Sequence, residues 1–92
     1  MFALVRTNHF DRRLTRFIRL HPNLRPRLAQ VFRDLEADPF QLHLRLHPLS
    51  GELAGVHAVS VTYAYRITLV LQLKAGEIIL LDIGTHDEVY DS

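Results

Sequence analysis

Apolar residues recur at two different spacings along this chain, and the change between them divides it. Residues 2–6 form a short apolar segment that reads as a strand. Phe10, Leu14, Phe17, Ile18 and His21 then fall at helical spacing, while Arg12, Arg13, Arg16 and Arg19 lie mainly off that stripe. This predicts an amphipathic helix over residues 9–20. Thr7 or Asn8 can cap it, and Asp11 stands in its first turn, where a carboxylate meets unpaired amides. Pro22 stops the helix, and Asn23 can cap a second one. Its stripe runs through Leu24, Leu28, Val31, Phe32 and Leu35 until Asp38-Pro39 ends it. Pro26 is tolerated in the opening turn, where its missing amide has no partner to lose. Two amphipathic helices joined so tightly read as a hairpin covering one face of a sheet.

The pattern is mixed over residues 41–49, with His43 and His47 close to arginine and proline. His47 opens a short extended piece that leads into the Ser50-Gly51 turn. Ala54-Gly55 marks another turn, after which residues 56–62, 65–73 and 77–84 read as strands. Lys74-Ala75-Gly76 joins the last two as a hairpin turn. Strand, two helices and a strand meander make an α+β fold, with the helices packed against one sheet face. At 92 residues the chain is expected to form a single domain, 1–92, and it carries no internal repeat.

Composition narrows the function classes. An apolar fraction of 48% and a charged fraction of 23% belong to an ordinary globular chain. Cysteine is absent, which excludes disulfides and thiolate chemistry and fits a reducing compartment. No segment has the basic start, apolar core and small-residue cleavage site of a signal peptide, and no apolar run is long enough for a membrane span. A cytoplasmic protein is expected. The six histidines are scattered without close ligand pairs, so neither a metal nor a cofactor is expected. Net charge is only +1, but it is unevenly spread. Residues 1–45 carry Arg6, Arg12, Arg13, Arg16, Arg19, Arg25, Arg27, Arg33 and Arg45 against four carboxylates, whereas residues 46–92 carry Arg66 and Lys74 against six. Arginine's planar fork suits phosphate and carboxylate. Such a surface fits nucleic acid, an acidic protein partner, or plain solvation, and Arg12, Arg13, Arg16 and Arg45 are its candidate RNA contacts.

Two places carry chemistry. Gly84 ends the last strand and is followed at once by His86, Asp87, Glu88 and Tyr90, an imidazole and a phenol within reach of each other. Arg66 lies inside the most apolar stretch, on the same strand face as Thr68 and Val70. A guanidinium there needs an anion. Asp82 or Glu88 would serve in a structural pair, and a substrate phosphate would serve in a functional one.

Four segments in order, His47-Pro48-Leu49-Ser50-Gly51, Leu53-Ala54-Gly55, Tyr63-Ala64-Tyr65-Arg66-Ile67 and Ile83-Gly84-Thr85-His86-Asp87-Glu88-Val89-Tyr90, resemble the RelE/ParE superfamily of bacterial toxins. Within it the likeness is to the RelE/StbE and YafQ-like ribosome-dependent mRNA interferases. The resemblance implies an N-terminal strand and a two-helix hairpin packed on a small twisted antiparallel sheet. It also implies a cognate antitoxin and cleavage of mRNA in the ribosomal A site. His47 corresponds to the histidine opening the family's HPL.G motif, Arg66 to its strand arginine, His86 to the histidine after the C-terminal glycine, and Tyr90 to the terminal aromatic. The chain departs from the family at Ser60, where many members have histidine or arginine, and at Ala64, where YafQ-like members have aspartate. A further departure is the acidic set Asp82, Asp87 and Glu88.

The implied reaction uses the RNA's own 2′-hydroxyl and needs no metal. His47 would serve as base and His86 as acid, or the reverse, since an imidazole titrates near neutrality, at about 6.5. Arg66 would meet the charge growing on the phosphoryl oxygens, and Tyr90 would stack on a base or orient the phosphate. On the same fold, a ParE-like gyrase-directed toxin or a non-catalytic antitoxin-binding member would need no acid–base pair.

Overall fold

The computed structural model describes residues 1–90. Strand β1 (Ala3–Arg6) leads into helix α1 (Asn8–Leu20), and a 3₁₀ turn at Pro22–Leu24 connects to helix α2 (Arg25–Ala37). After a 3₁₀ turn at Leu42–Leu44 come β2 (His47–Pro48), a 3₁₀ turn at Gly51–Leu53, β3 (His57–Ser60), β4 (Tyr65–Gln72), β5 (Glu77–Thr85) and helix α3 (His86–Tyr90). Thr7 caps α1, its hydroxyl accepting from Phe10 N at 3.1 Å and donating to Leu80 O at 2.9 Å. Asn23 does not cap α2. Pro22 starts a 3₁₀ turn whose bonding runs directly into Arg25, so α2 begins from Leu24 with no side-chain cap. Pro26 stands in its first turn and Asp38 ends it, both as the sequence predicts.

The sheet order is β1-β5-β4-β3-β2. The strands from β2 to β5 form an antiparallel meander, and β1 joins β5 in parallel. The α+β architecture expected from the sequence is present, with the parallel edge strand as an addition. One face of β4 presents Tyr65, Ile67 and Leu69 toward the helices, opposite Thr85, Ile83 and Leu80 of β5. These meet Phe10, Phe17, Leu28, Val31 and Leu35 in the core. Each such side chain, fully buried, contributes on the order of 1.5–3 kcal/mol.

A register shift between Thr68 and Leu69 leaves Leu81 without a partner on β4. It lets Leu80 and Ile83, three residues apart, face the same core, and turns Asp82 to the other side. The bulge explains why a carboxylate interrupts the apolar run. Among the described residues, no helix is long and apolar enough to cross a membrane.

Candidate functional site

The segment after β5 is a helix, and local bonding accounts for it. Thr85 N donates to Glu88 Oε1 at 2.8 Å and Glu88 N donates to Thr85 Oγ1 at 3.2 Å, the reciprocal pair of a capping box. The Thr-x-x-Glu pattern is legible in the sequence and is the signal for α3. Gly84 is needed for close approach: a Cβ there would lie 2.9 Å from Glu88 Oε1 and 3.1 Å from both Glu88 Cβ and an Arg13 nitrogen. The Thr85 backbone N–H holds the Glu88 carboxyl below the usual carboxylate range. Burial opposes this, and the Thr85 hydroxyl, Arg13 and Arg16 add to it. A carboxylate with a depressed folded-state pKa contributes stability that is full above the ordinary value, about 4.3, and is lost as pH falls through the lower folded value. Glu88→Gln should therefore melt below wild type near neutrality, with the gap closing under acid. Thermal melts of both proteins across that range check it, and a pH-independent gap would contradict the assignment.

On α3, His86 and Tyr90 are one turn apart with ring centroids 4.1 Å apart at 80°. Across from them β2 carries His47 at the sheet edge, and the three side chains line one open cavity of about 350 Å³. His47 Nδ1 lies 2.9 Å from Arg45 O. A carbonyl can only accept, so Nδ1 carries the proton, and in the neutral ring Nε2 holds a free lone pair. That Nε2 is 3.5 Å from Tyr90 Oη, a loose contact. Arg45 reaches this position with φ of 57°, a left-handed conformation unusual for a side chain of its size. His86 is largely exposed, with Nδ1 3.5 Å from the exposed Asp87 carboxylate.

Arg66 is elsewhere. It does not line the cavity of His47, His86 and Tyr90, and neither Asp82 nor Glu88 is its partner. Its NH1 donates to Thr62 O at 3.3 Å and Tyr63 O at 3.2 Å, tying the β3–β4 turn. The carboxylates belong to Arg13, whose Nε is 3.0 Å from Asp82 Oδ1 and whose NH2 is 3.5 Å from Glu88 Oε2. β1 pairs with β5 only as far as Leu80, so α1 runs beside the open edge beyond it and Arg13 reaches around that edge. Arg13 is thus a structural clamp, whereas Arg12, Arg16 and Arg45 are exposed. By register, Arg66, Thr68 and Ser60 share the sheet face of Ala58 and His47. Among the described residues, no three histidine, aspartate or glutamate side chains are gathered as a metal ion would require.

No protein-family model and no curated protein matches the sequence. Solved structures match strongly in shape, and they define a class: this chain has the fold of the RelE/ParE toxin superfamily. YafQ from E. coli strain BL21(DE3) is similar over 98% of this chain and 99% of its own, with a TM-score of 0.81 at 14% identity. The YoeB/ParE toxin from Agrobacterium tumefaciens matches over 92% of this chain and 99% of its own, with a TM-score of 0.77 at 18% identity. The E. coli DinJ–YafQ toxin–antitoxin complex matches over 97% of each chain, with a TM-score of 0.76 at 16% identity.

Proposed function

We propose that this chain is the toxin of a type II toxin–antitoxin pair, acting as a ribosome-dependent mRNA endoribonuclease. The observation that carries the reading is the meeting of His47, His86 and Tyr90 around one cavity. The Arg45 carbonyl fixes the proton on His47 Nδ1, so Nε2 is the atom that can take a proton. His47 removes the proton of an RNA 2′-hydroxyl, the oxygen attacks the adjacent phosphorus in line, and His86 protonates the departing 5′-oxygen. The products are a 2′,3′-cyclic phosphate and a 5′-hydroxyl. Tyr90 holds the His86 ring from one side and offers its own face or hydroxyl to the RNA. Arg66 meets the RNA backbone from the same sheet face. Its Cα lies two strands and two residues from that of His47, about 12 Å by standard sheet spacings.

The partners follow from the same reading. The exposed Arg12, Arg16 and Arg19 of α1 suit an acidic antitoxin segment that orders on binding, and DinJ–YafQ is a toxin–antitoxin complex on this fold. Purification together with the product of the neighbouring gene tests this; a toxin that stays alone at low salt counts against it. The ribosome supplies alignment that a chain of net charge +1 cannot supply alone. Naked mRNA should therefore be cut far more slowly than mRNA on programmed ribosomes, and equal rates would remove ribosome dependence from the proposal.

A second reading has one observation in its favour. Among the described residues, no arginine or lysine lines the histidine cavity, and Asp87 stands beside His86. A chain that binds its antitoxin but cleaves poorly would look like this. Induced expression with mapping of cellular mRNA ends separates the readings: growth arrest with new 5′-hydroxyl ends supports the nuclease. Arrest without cleavage points to another target such as gyrase, and no arrest points to the non-catalytic form.

A further inference from the structure

A second cavity lies beyond the histidine cluster, where α2, the 3₁₀ turn at Leu42–Leu44 and the β3–β4 turn come together. It measures about 250 Å³, and Arg27, Arg45 and Arg66 all line it. Asp34 also lines it, but both its oxygens are taken, Oδ1 by Gln30 Nε2 and Oδ2 by His43 Nε2, each at 2.8 Å. Among the described residues, none of the three arginines has a carboxylate within 4 Å. Three guanidinium groups gathered around a single carboxylate that is already bonded to Gln30 and His43 favour a further anion from outside, and their planar forks match the oxygens of a phosphodiester. Tyr63 lines the same cavity and is 95% exposed, a free aromatic face beside the charges. Phosphate binding next to an unoccupied aromatic ring is the pairing that single-stranded nucleic acid uses.

We propose that this cavity is a second RNA subsite, which takes a phosphate flanking the scissile one and stacks its base on Tyr63. Such a site extends the RNA reading above and depends on it. It is also joined to the first cavity, because Arg45 lines it while the Arg45 carbonyl accepts from His47 Nδ1. An RNA strand gripped at Arg45 is held two residues from the catalytic base. An acidic peptide would satisfy the arginines but would leave Tyr63 without a role, so RNA is favoured.

The test is binding rather than cleavage. A labelled, uncleavable 2′-O-methyl oligoribonucleotide of about eight nucleotides is titrated by fluorescence anisotropy through a salt series. Arg27→Gln should weaken binding roughly three- to tenfold and flatten the slope of log K against log salt by about 0.7, the value for one phosphate contact on a single strand. Tyr63→Ala should weaken binding about fivefold or more with the slope unchanged, as for a lost stack. Arg25→Gln, on the same helix but outside the cavity, should do neither. Failure of the wild-type protein to bind overturns the site, as do equal effects of Arg25→Gln and Arg27→Gln. Preferential binding of poly-glutamate with the same arginine dependence assigns the cavity to a protein partner and overturns it as well. If the binding pattern holds while mRNA cleavage is absent, the subsite stands and the nuclease reading falls.

Discussion

Replacing His47 with glutamine should lower mRNA cleavage on ribosomes by roughly 10²- to 10⁴-fold, the range expected for loss of a positioned general base. The folded state should be untouched. His47 is exposed on a two-residue edge strand and no core side chain depends on it. Glutamine keeps an N–H that can reach Arg45 O but offers no nitrogen that can accept a proton near neutrality. His86→Gln should fall in the same range, because its ring is the other imidazole that lines the cavity among the described residues. Tyr90→Phe keeps the ring packed on His86 and removes only the hydroxyl, so a loss of about tenfold is expected, one hydrogen bond's worth. Mapping of mRNA 5′ ends after induction, beside thermal melts of each purified variant, reads both quantities. Wild-type cleavage by a folded His47→Gln protein would show that the base lies elsewhere.

Neighbouring arginines on α1 should behave very differently. Arg13→Ala is expected to cost about 2–4 kcal/mol, because it removes the arginine partner of a carboxylate that is only 7% exposed. Arg12→Ala, on the solvent side, should stay within about 0.5 kcal/mol of wild type. Without Arg13, Asp82 keeps its bond to Ile83 N and a His9 contact at 3.4 Å, and Glu88 loses its tether. The helix that carries His86 and Tyr90 would then keep its capping box and the buried Val89 but lose its tie to α1. For a domain of this size each kcal/mol shifts the melting temperature by about 4–8 °C, so the Arg13 variant should melt about 10 °C or more below the Arg12 variant. Adding Asp82→Leu to Arg13→Ala should recover part of the loss, since an apolar replacement for a buried pair is often near neutral. Equal stability of the two single variants would rule out the clamp.

What was legible in the sequence follows the range of the interactions. Helix stripes, the Thr7 cap, the Asp38 stop and the last hairpin are set by near neighbours and could be read directly. The Thr85–Glu88 capping box is equally local, yet His86 and Tyr90 draw attention as chemistry before Thr85 does as a cap. Asn23 is a good capping residue that loses to its neighbour Pro22, whose 3₁₀ turn leaves no cap position for it. Of the partners open to Arg66, Asp82 and Glu88 go to Arg13 instead: strand alternation correctly puts Arg66 on the face of Thr68 but says nothing about an arginine that arrives around the sheet edge from 69 residues away. The meeting of His47 with His86 and Tyr90 spans 43 residues, and only the resemblance to known toxins suggested it.

The parallel pairing of β1 with β5 also has a kinetic meaning. Thr7 and Leu80, bonded in the folded protein, are 73 residues apart, so β1 cannot pair until β5, made long after it, has been synthesised. Until β5 emerges, β1 and β4 each lack a hydrogen-bonding neighbour, and the helices have only part of a sheet to cover. Closing so long a loop before its contacts form makes folding slow relative to helix formation. A chain that stopped short of residue 77 would lack the strand to which both β1 and β4 bind. Incomplete translation products should therefore be unfolded and readily proteolysed.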